Sequence, residues 1–304
     1  MIVIERKKTN EEKMVELNAN TIKLKDEIND LLEQEHLNTE QLEQDPLYYE
    51  VPTKADLYDT EPKHYDAATH VCVAFRRKDD LWKDLPMPFG NMIGGFPFEM
   101  NGVLFPSSEQ AYIAGLFSNN TPEHIQLQKE LLNEASGYMA KRNTRAKHAD
   151  QWRTDWTSFN IDWMLYCVWN KVQKNEAFRK SLMAVPRNAM LIEDVSFQLK
   201  PKGKKDTTIV WGCRNEMKKE FGRLVKKYVS SLDFPTKKAA NDAENELLWD
   251  YCNVGEYVGQ NIMGEILTIV KNCLHEGTEP DIDYDLLNSK EIHLFGEKLV
   301  FPSK

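Results

Sequence analysis

The chain has 304 residues, of which 41% are hydrophobic and 29% charged, with a formal net charge of −9. This is the profile of a globular protein with room for one large domain or two modest ones. No run approaches the ~18 apolar residues that span a bilayer and the start does not read as a secretory signal, so a cytoplasmic protein without membrane contact is expected.

The acidity is uneven. Residues 1–65 hold 16 acidic and 8 basic side chains, which leaves the remaining body nearly neutral. Such a body can accept a phosphate-bearing ligand, but it lacks the broad basic footprint of a dedicated duplex binder. The five cysteines, Cys72, Cys167, Cys213, Cys252 and Cys273, are scattered, with no CxxC, HExxH or tight Cys/His cluster. Neither a disulfide framework nor a metal site is indicated, and no cofactor is expected.

In chain order, Thr9 and Glu12 are spaced as a capping box. After them Met14, Leu17, Thr21, Leu24, Ile28 and Leu31 recur at spacings of three and four, predicting an acidic amphipathic helix. Its stripe either packs on the body or makes a homodimer or partner contact. Residues 38–64 carry three prolines and read as a linker. Residues 69–75, "THVCVAF", predict a strand of alternating character, and 96–105 a hairpin turning at Asn101–Gly102. Helices are predicted from Ser107, over 122–142, over 157–183 with Trp163, Tyr166, Val172 and Phe178 on its buried face, and over 261–274. Residues 198–208 form a lysine-rich loop, 214–250 are charged and mostly helical, and "KEIHLFGEKLVF" closes the chain as a hairpin around Gly296. The fold class is α+β, mainly α. An acidic extension covers 1–65, a multi-helical domain with a small antiparallel hairpin covers 66–277 with an insertion at about 214–256, and a tail covers 278–304.

The chemistry centres on "FPSSEQAY" and its carboxylate, Glu109. An acid in the first turn of a helix is favoured by the unpaired N–H groups, and Ser107 with Gln110 can form a capping box. Taken alone, the stretch is an ordinary helix start, and an active-site role needs convergent groups. Asn91 follows Gly90, which permits a close backbone approach. Trp211–Gly212 sets an aromatic face beside open backbone. Gly259 and Asn261 stand just before a helix, where backbone N–H groups can hold phosphate or ribose oxygens.

The order of these blocks resembles the NADAR/YbiA-like family over about residues 69–275. Phe89, Asn91, Gly102, Pro106, Ser108 and Glu109 fall on its first block, Trp156 and Lys171 on its long helix. Trp211–Gly212 falls on a tryptophan–glycine step, and Gly259, Asn261 and Gly264 on a Gly-x-Asn-x-x-Gly ending. Gln110 stands where members carry histidine, Gly90 where they carry serine, and Cys213–Arg214 where further glycine or acid is usual. The long spacing after Trp211 makes Trp249–Asp250 a second candidate for the tryptophan–glycine position. The arginine expected before Trp156 is Arg142 or Arg145.

The resemblance implies a YbiA-like fold and an N-glycosidase that cleaves between ribose C1 and a nitrogen. Its substrate would be ADP-ribosylated guanine in nucleic acid, reversing DarT-type modification as an antitoxin does. Alternatives are phosphoribosylated riboflavin-pathway intermediates, or a module that binds ADP-ribose or a nucleotide without cleaving it. Glu109 would stabilise positive charge at C1 and activate water. Lys171 would be a second catalytic group, attacking an opened C1 as an amine. Asn91 and Asn261 would bond ribose or phosphate oxygens and Trp156 and Trp211 would stack on a base. Phe89, Gly90, Gly212 and Gly259 would complete the substrate-binding surface. The lysines within 200–205 favour a nucleic-acid substrate.

Overall fold

The computed structural model describes residues 19–30, 46–76, 81–82, 85–198, 208–249 and 255–302. After helical stretches over 19–30 and Lys54–Leu57, the elements that build the site include strands β1 (Lys63–Asp66) and β2 (Cys72–Phe75), the hairpin β3 (Phe98–Met100) and β4 (Val103–Phe105), and helices α1 (Ser108–Leu116) and α2 (Pro122–Asn133). Helices α3 (Asn160–Lys174) and α4 (Glu176–Met183) then lead to β5 (Met190–Glu193). After α5 (Glu216–Ser231), α6 (Lys237–Trp249) and β6 (Glu256–Gly259), helix α7 (Ile262–Glu276) crosses the core and α8 (Tyr284–Ser289) opens the tail. The fold is α+β and mainly α, with its strands in two-membered sheets.

One of those pairs is parallel, which the sequence did not reveal. β2 runs beside β5 with Cys72 opposite Met190 and Phe75 opposite Glu193. All four β2 residues are buried, so the expected alternation is absent. Val73 and Phe75 enter the main core, while Cys72 and Ala74 enter a second cluster with Tyr65, Ile192 and Tyr257. Parallel strands are covered on both faces and need apolar side chains on each.

The β3–β4 hairpin turns where predicted. Asn101 at φ 51° and Gly102 at φ 71° adopt the paired left-handed conformations of a type I′ turn. The single helix expected over 157–183 is instead two. Asn175 leaves helical geometry, and its side-chain oxygen accepts the Phe178 N–H at 2.9 Å, capping α4. Trp163, Val172 and Phe178 are buried as expected, and Tyr166 packs edge-on to Phe301 at 4.9 Å. The helix expected over 122–142 also stops early, at Asn133. Ser136 then caps a short turn, Gly137–Met139, that widens into a π-helical segment, Ala140–Arg145.

Residues 46–65 are built into the body. Tyr49 stacks on His70 at 4.2 Å, and β1 pairs antiparallel with β6 from Lys63–Gly259 to Asp66–Glu256, across the expected boundary at 65/66. Buried Asp162 of α3 accepts from Lys54 at 2.8 Å, from the Tyr58 hydroxyl, and from the Asp283 N–H at 2.9 Å. The tail turns at Phe295–Gly296 as predicted, and Ile292, Leu294, Leu299 and Phe301 belong to the main core.

Residues 19–30 are helical, and Ile28 of the predicted stripe is buried with Phe221, Val225 and Val229 of α5. That part of the stripe therefore packs on the helical insertion. Thr9, Glu12, Met14, Leu17, Leu31, Cys252 and the lysines within 200–205 lie outside the described residues. Among the described residues no helix is long and apolar enough to cross a membrane.

Helix α1 lies against α3 at a point without a side chain. The Trp163 indole N–H donates to the carbonyls of Ala111 and Tyr112 at 3.2 and 3.3 Å, and a Cβ at Gly115 would fall 2.2 Å from that nitrogen. Gly115→Ala is expected to lower the unfolding free energy by ~1–3 kcal/mol in urea titrations, the usual cost of overpacking a core.

Candidate active site

A cavity of about 660 Å³ opens between the start of α1, the π-helical segment, the end of β5 and the single helical turn Thr208–Trp211. That volume lies within the range of small-molecule sites. Helix α1 starts as its sequence indicates: Ser107 Oγ accepts the Gln110 N–H at 3.3 Å and donates to Gln110 Oε1 at 2.8 Å. The Gln110 amide donates in turn to the Leu131 carbonyl at 3.0 Å, so this side chain ties α1 to the end of α2 and does not line the cavity.

The capped start holds Glu109 on the cavity wall. Its N–H donates to the Asn91 carbonyl at 3.0 Å and the residue is only 6% exposed. Carboxylate Oε1 has no hydrogen-bond partner among the described residues, and Arg145 Nη1 stands 3.7 Å away, beyond bonding distance. Burial pushes the Glu109 carboxyl above its ordinary range, while Lys141 and Arg145 pull it back. Asn91 is 8% exposed and its Oδ1 also lacks a partner. Buried acceptors left without donors are costly, and two on one cavity wall define a place for a ligand's hydroxyl or N–H groups.

The opposite charge comes from the π-helical segment. Lys141 and Arg145 line the cavity, whereas Arg142 is exposed and does not. The Arg145 guanidinium lies 5.9 Å from the Tyr112 ring and 5.4 Å from that of Trp152, whose indole N–H donates to the Arg145 carbonyl at 3.0 Å. Trp211 meets Tyr112 edge to face at 5.4 Å. The cavity thus combines buried acceptors, two cations and three aromatic walls.

Of the residues expected at the site, Glu109, Asn91 and Trp211 meet here. The others do not line the cavity. Lys171 is fully buried beneath α1, donates to Ser108 Oγ at 3.2 Å and sits 4.0 Å from the Phe178 ring centre. Burial brings its pKa down to about 7, yet the residue does not line the cavity. Phe89 is a core residue set edge-on to Phe75 and Phe178, each at 5.9 Å. A Cβ at Gly90 would meet Ile93 at 3.2 Å, so its smallness serves a local turn. Trp156 stands behind Tyr112, at 4.9 Å.

The glycine and asparagine steps serve the backbone. Asn261 Oδ1 accepts the Glu193 N–H at 3.1 Å and its amide donates to the Leu191 carbonyl at 2.9 Å. A Cβ would stand 2.4 Å from the Glu193 carbonyl if added at Gly212, 2.3 Å from the Gly212 carbonyl at Gly259, and 2.2 Å from the Leu191 carbonyl at Gly264. These residues let α7, β5 and β6 approach backbone to backbone, and Asn261 is fully buried with its amide on Glu193 and Leu191, away from the cavity wall. Arg214 Nη1 donates to the carbonyls of Val195 and Gln198 at 3.0 and 2.7 Å, fixing the loop that carries Gln198 to the cavity. Trp249 ends α6, and of the two candidate tryptophans it is Trp211 that lines the cavity.

The wall residues that escaped the sequence reading include Tyr112, Lys141, Trp152 and Glu193. Tyr112 follows Glu109 by three residues and shares its helix face, a signal that was present. Glu193 closes the apolar strand "MLIE", and only the parallel pairing with β2 places it at a cavity. Burial pushes its carboxyl up to about 7, with Lys141 pulling down and Glu109 and Asp194 pushing further up. Among the described residues no group of three or more His, Cys, Asp or Glu converges as a metal site. No protein-family model matches the chain, and no curated protein matches it.

The buried Lys171 yields a prediction on stability. Its pKa is 10.5 ordinarily and about 7 in the fold, so between these values the unfolded chain binds more protons than the folded one. Stability therefore rises with pH across that window. Lys171→Met is expected to flatten the rise, measured as unfolding free energy against pH, with Lys271 supplying the part that remains.

Proposed function

We propose that the protein is an N-glycosidase of the NADAR/YbiA-like kind, hydrolysing the ribose C1–N bond of ADP-ribosylated guanine in nucleic acid. The observation that carries this reading is the buried carboxylate of Glu109, whose Oε1 accepts no hydrogen bond, on the wall of a cavity that also holds cations and aromatic rings. Cleaving an N-glycosidic bond builds positive charge at C1, and a carboxylate in a water-poor site stabilises it more strongly than one in water. The same carboxylate takes a proton from the attacking water, and its raised pKa brings it nearer the range suited to a base at neutral pH. Lys141 and Arg145 suit the diphosphate of an ADP-ribosyl group, and Trp211 offers a face for a base. The order of sequence blocks that resembles the family agrees with this reading. The nucleophile is water, since Lys171 stands away from the cavity wall.

Incubation with an ADP-ribosylated oligonucleotide and, separately, with a phosphoribosylated aminopyrimidine tests the proposal when products are followed by mass. Release of ADP-ribose from the oligonucleotide is expected. Release from the metabolite alone would move the function to that substrate, and binding of ADP-ribose without turnover of either would remove the enzyme. Glu109→Gln is expected to fold normally and to lose at least ~100-fold in turnover, the scale of a missing acid–base group.

A further inference from the structure

We infer that Glu193 is the second catalytic carboxyl of this site, the acid that protonates the departing base. The inference rests on the N-glycosidase reading and adds a group that neither the sequence blocks nor the role of Glu109 requires. Glu193 lines the same cavity as Glu109 but comes from a different element, the end of β5. Among the described residues no ion pair or hydrogen bond engages its carboxyl.

Its backbone, by contrast, is held on every side. The Glu193 N–H donates to Asn261 Oδ1 at 3.1 Å, its carbonyl accepts the Cys213 N–H at 2.8 Å, and Gly212 lies against that same carbonyl. The Trp-Gly and Gly-x-Asn-x-x-Gly steps, read from the sequence as ligand contacts, thus form the bed that aims one side chain into the cavity. A fixed backbone under a free carboxyl is the arrangement a proton donor needs.

The adjacent acid shows what the site does differently. Asp194 is fully buried where Glu193 is partly exposed at the cavity, yet Lys218 at 2.5 Å and the Ser196 hydroxyl at 2.5 Å outweigh its burial and hold it below the ordinary range. Glu193 has no such partner. The groups facing it are Lys141, which favours its charge, and Glu109 and Asp194, which oppose it. Both carboxyls are pushed up by burial, but an arginine stands 3.7 Å from Glu109 and none pairs with Glu193 among the described residues, so the geometry favours the charged form at Glu109 and the proton at Glu193. A bound diphosphate adds negative charge and keeps Glu193 protonated.

In the reaction, the C1–N bond breaks with its electron pair going to the base nitrogen, which takes the Glu193 proton. Water oxygen bonds to C1 and gives its proton to Glu109. Proton exchange with solvent then restores both carboxyls.

A general acid is dispensable when the leaving group needs no proton, and that distinction supplies the test. Glu193→Gln is expected to lose ~100-fold on the ADP-ribosylated oligonucleotide while staying within a few fold of wild type on nitrophenyl-linked ADP-ribose, which departs as a stable phenolate. The alkaline limb of the wild-type pH profile should vanish in the variant. Equal losses on both substrates by a variant that melts like wild type, or no loss on the oligonucleotide, would overturn the assignment. Infrared difference titration reads the group without substrate: a protonated carboxyl persisting to near neutrality should be absent in Glu193→Gln and present in Glu109→Gln. If that signal is found but the oligonucleotide is inert to wild-type protein, the function proposed above fails while Glu193 remains the proton-bearing group. A Glu193 carboxyl ionised well below neutrality overturns its role whatever the substrate.

Discussion

The cavity depends on how closely helix α7 lies against strand β5. A Cβ at Gly264 would stand 2.2 Å from the Leu191 carbonyl, so the contact exists only because that side chain is missing. Asn261 takes the left-handed conformation at φ 56° and bridges the two backbones with both ends of its amide. Asparagine tolerates that conformation better than most residues, and its short amide can satisfy a strand on one side of a helix start. Through this joint the last residue of β5 is fixed relative to α7 and to the turn that carries Trp211. The two walls of the cavity are therefore parts of one packed unit.

Charge follows the same economy. Deeply placed acids are matched to cations from distant parts of the chain: Asp162 to Lys54, Glu265 to Lys63 at 2.7 Å, Asp194 to Lys218. A buried carboxylate that lost its cation would be strongly destabilising, which explains why each pair is close. Glu109 and Glu193 depart from the rule. Their cations, Lys141 and Arg145, sit on a widened π-helical segment and act at longer range, so the two carboxyls keep raised pKa values and free lone pairs. A fold that pairs its acids elsewhere leaves these two available on a cavity wall. Perturbed acids cluster at sites of chemistry for that reason.

Local signals were legible in the sequence. Asn101–Gly102 specifies its turn, Ser107 starts its helix, and Phe295–Gly296 closes the tail, because each depends on residues within a few positions. Glu109 with Asn91 could be found for the same reason, since both surround one helix start. What was lost depends on segments far apart. The prolines at 46, 52 and 62 suggest a linker, but β1 is settled by β6 nearly two hundred residues later. Asn261 and Lys171 are polar residues in suggestive places, and only their partners, Leu191 and Glu193 for one and Ser108 for the other, reveal that they hold the backbone and the core. Glu193 was invisible because an acid ending an apolar strand has no meaning until the strand finds a neighbour.

The meeting of three segments on Asp162 bears on how the molecule is made. That carboxylate lies in the middle of the chain, but its partners come from Lys54 and Tyr58, synthesised earlier, and from Asp283, synthesised last. During translation α3 leaves the ribosome with a buried-type acid only partly matched, and Phe301 has yet to reach Tyr166. The central helix cannot take its final surroundings until the tail arrives. The full surroundings of α3 thus exist only in a chain that includes the stretch through residue 301, and α1, which packs on α3, shares that core.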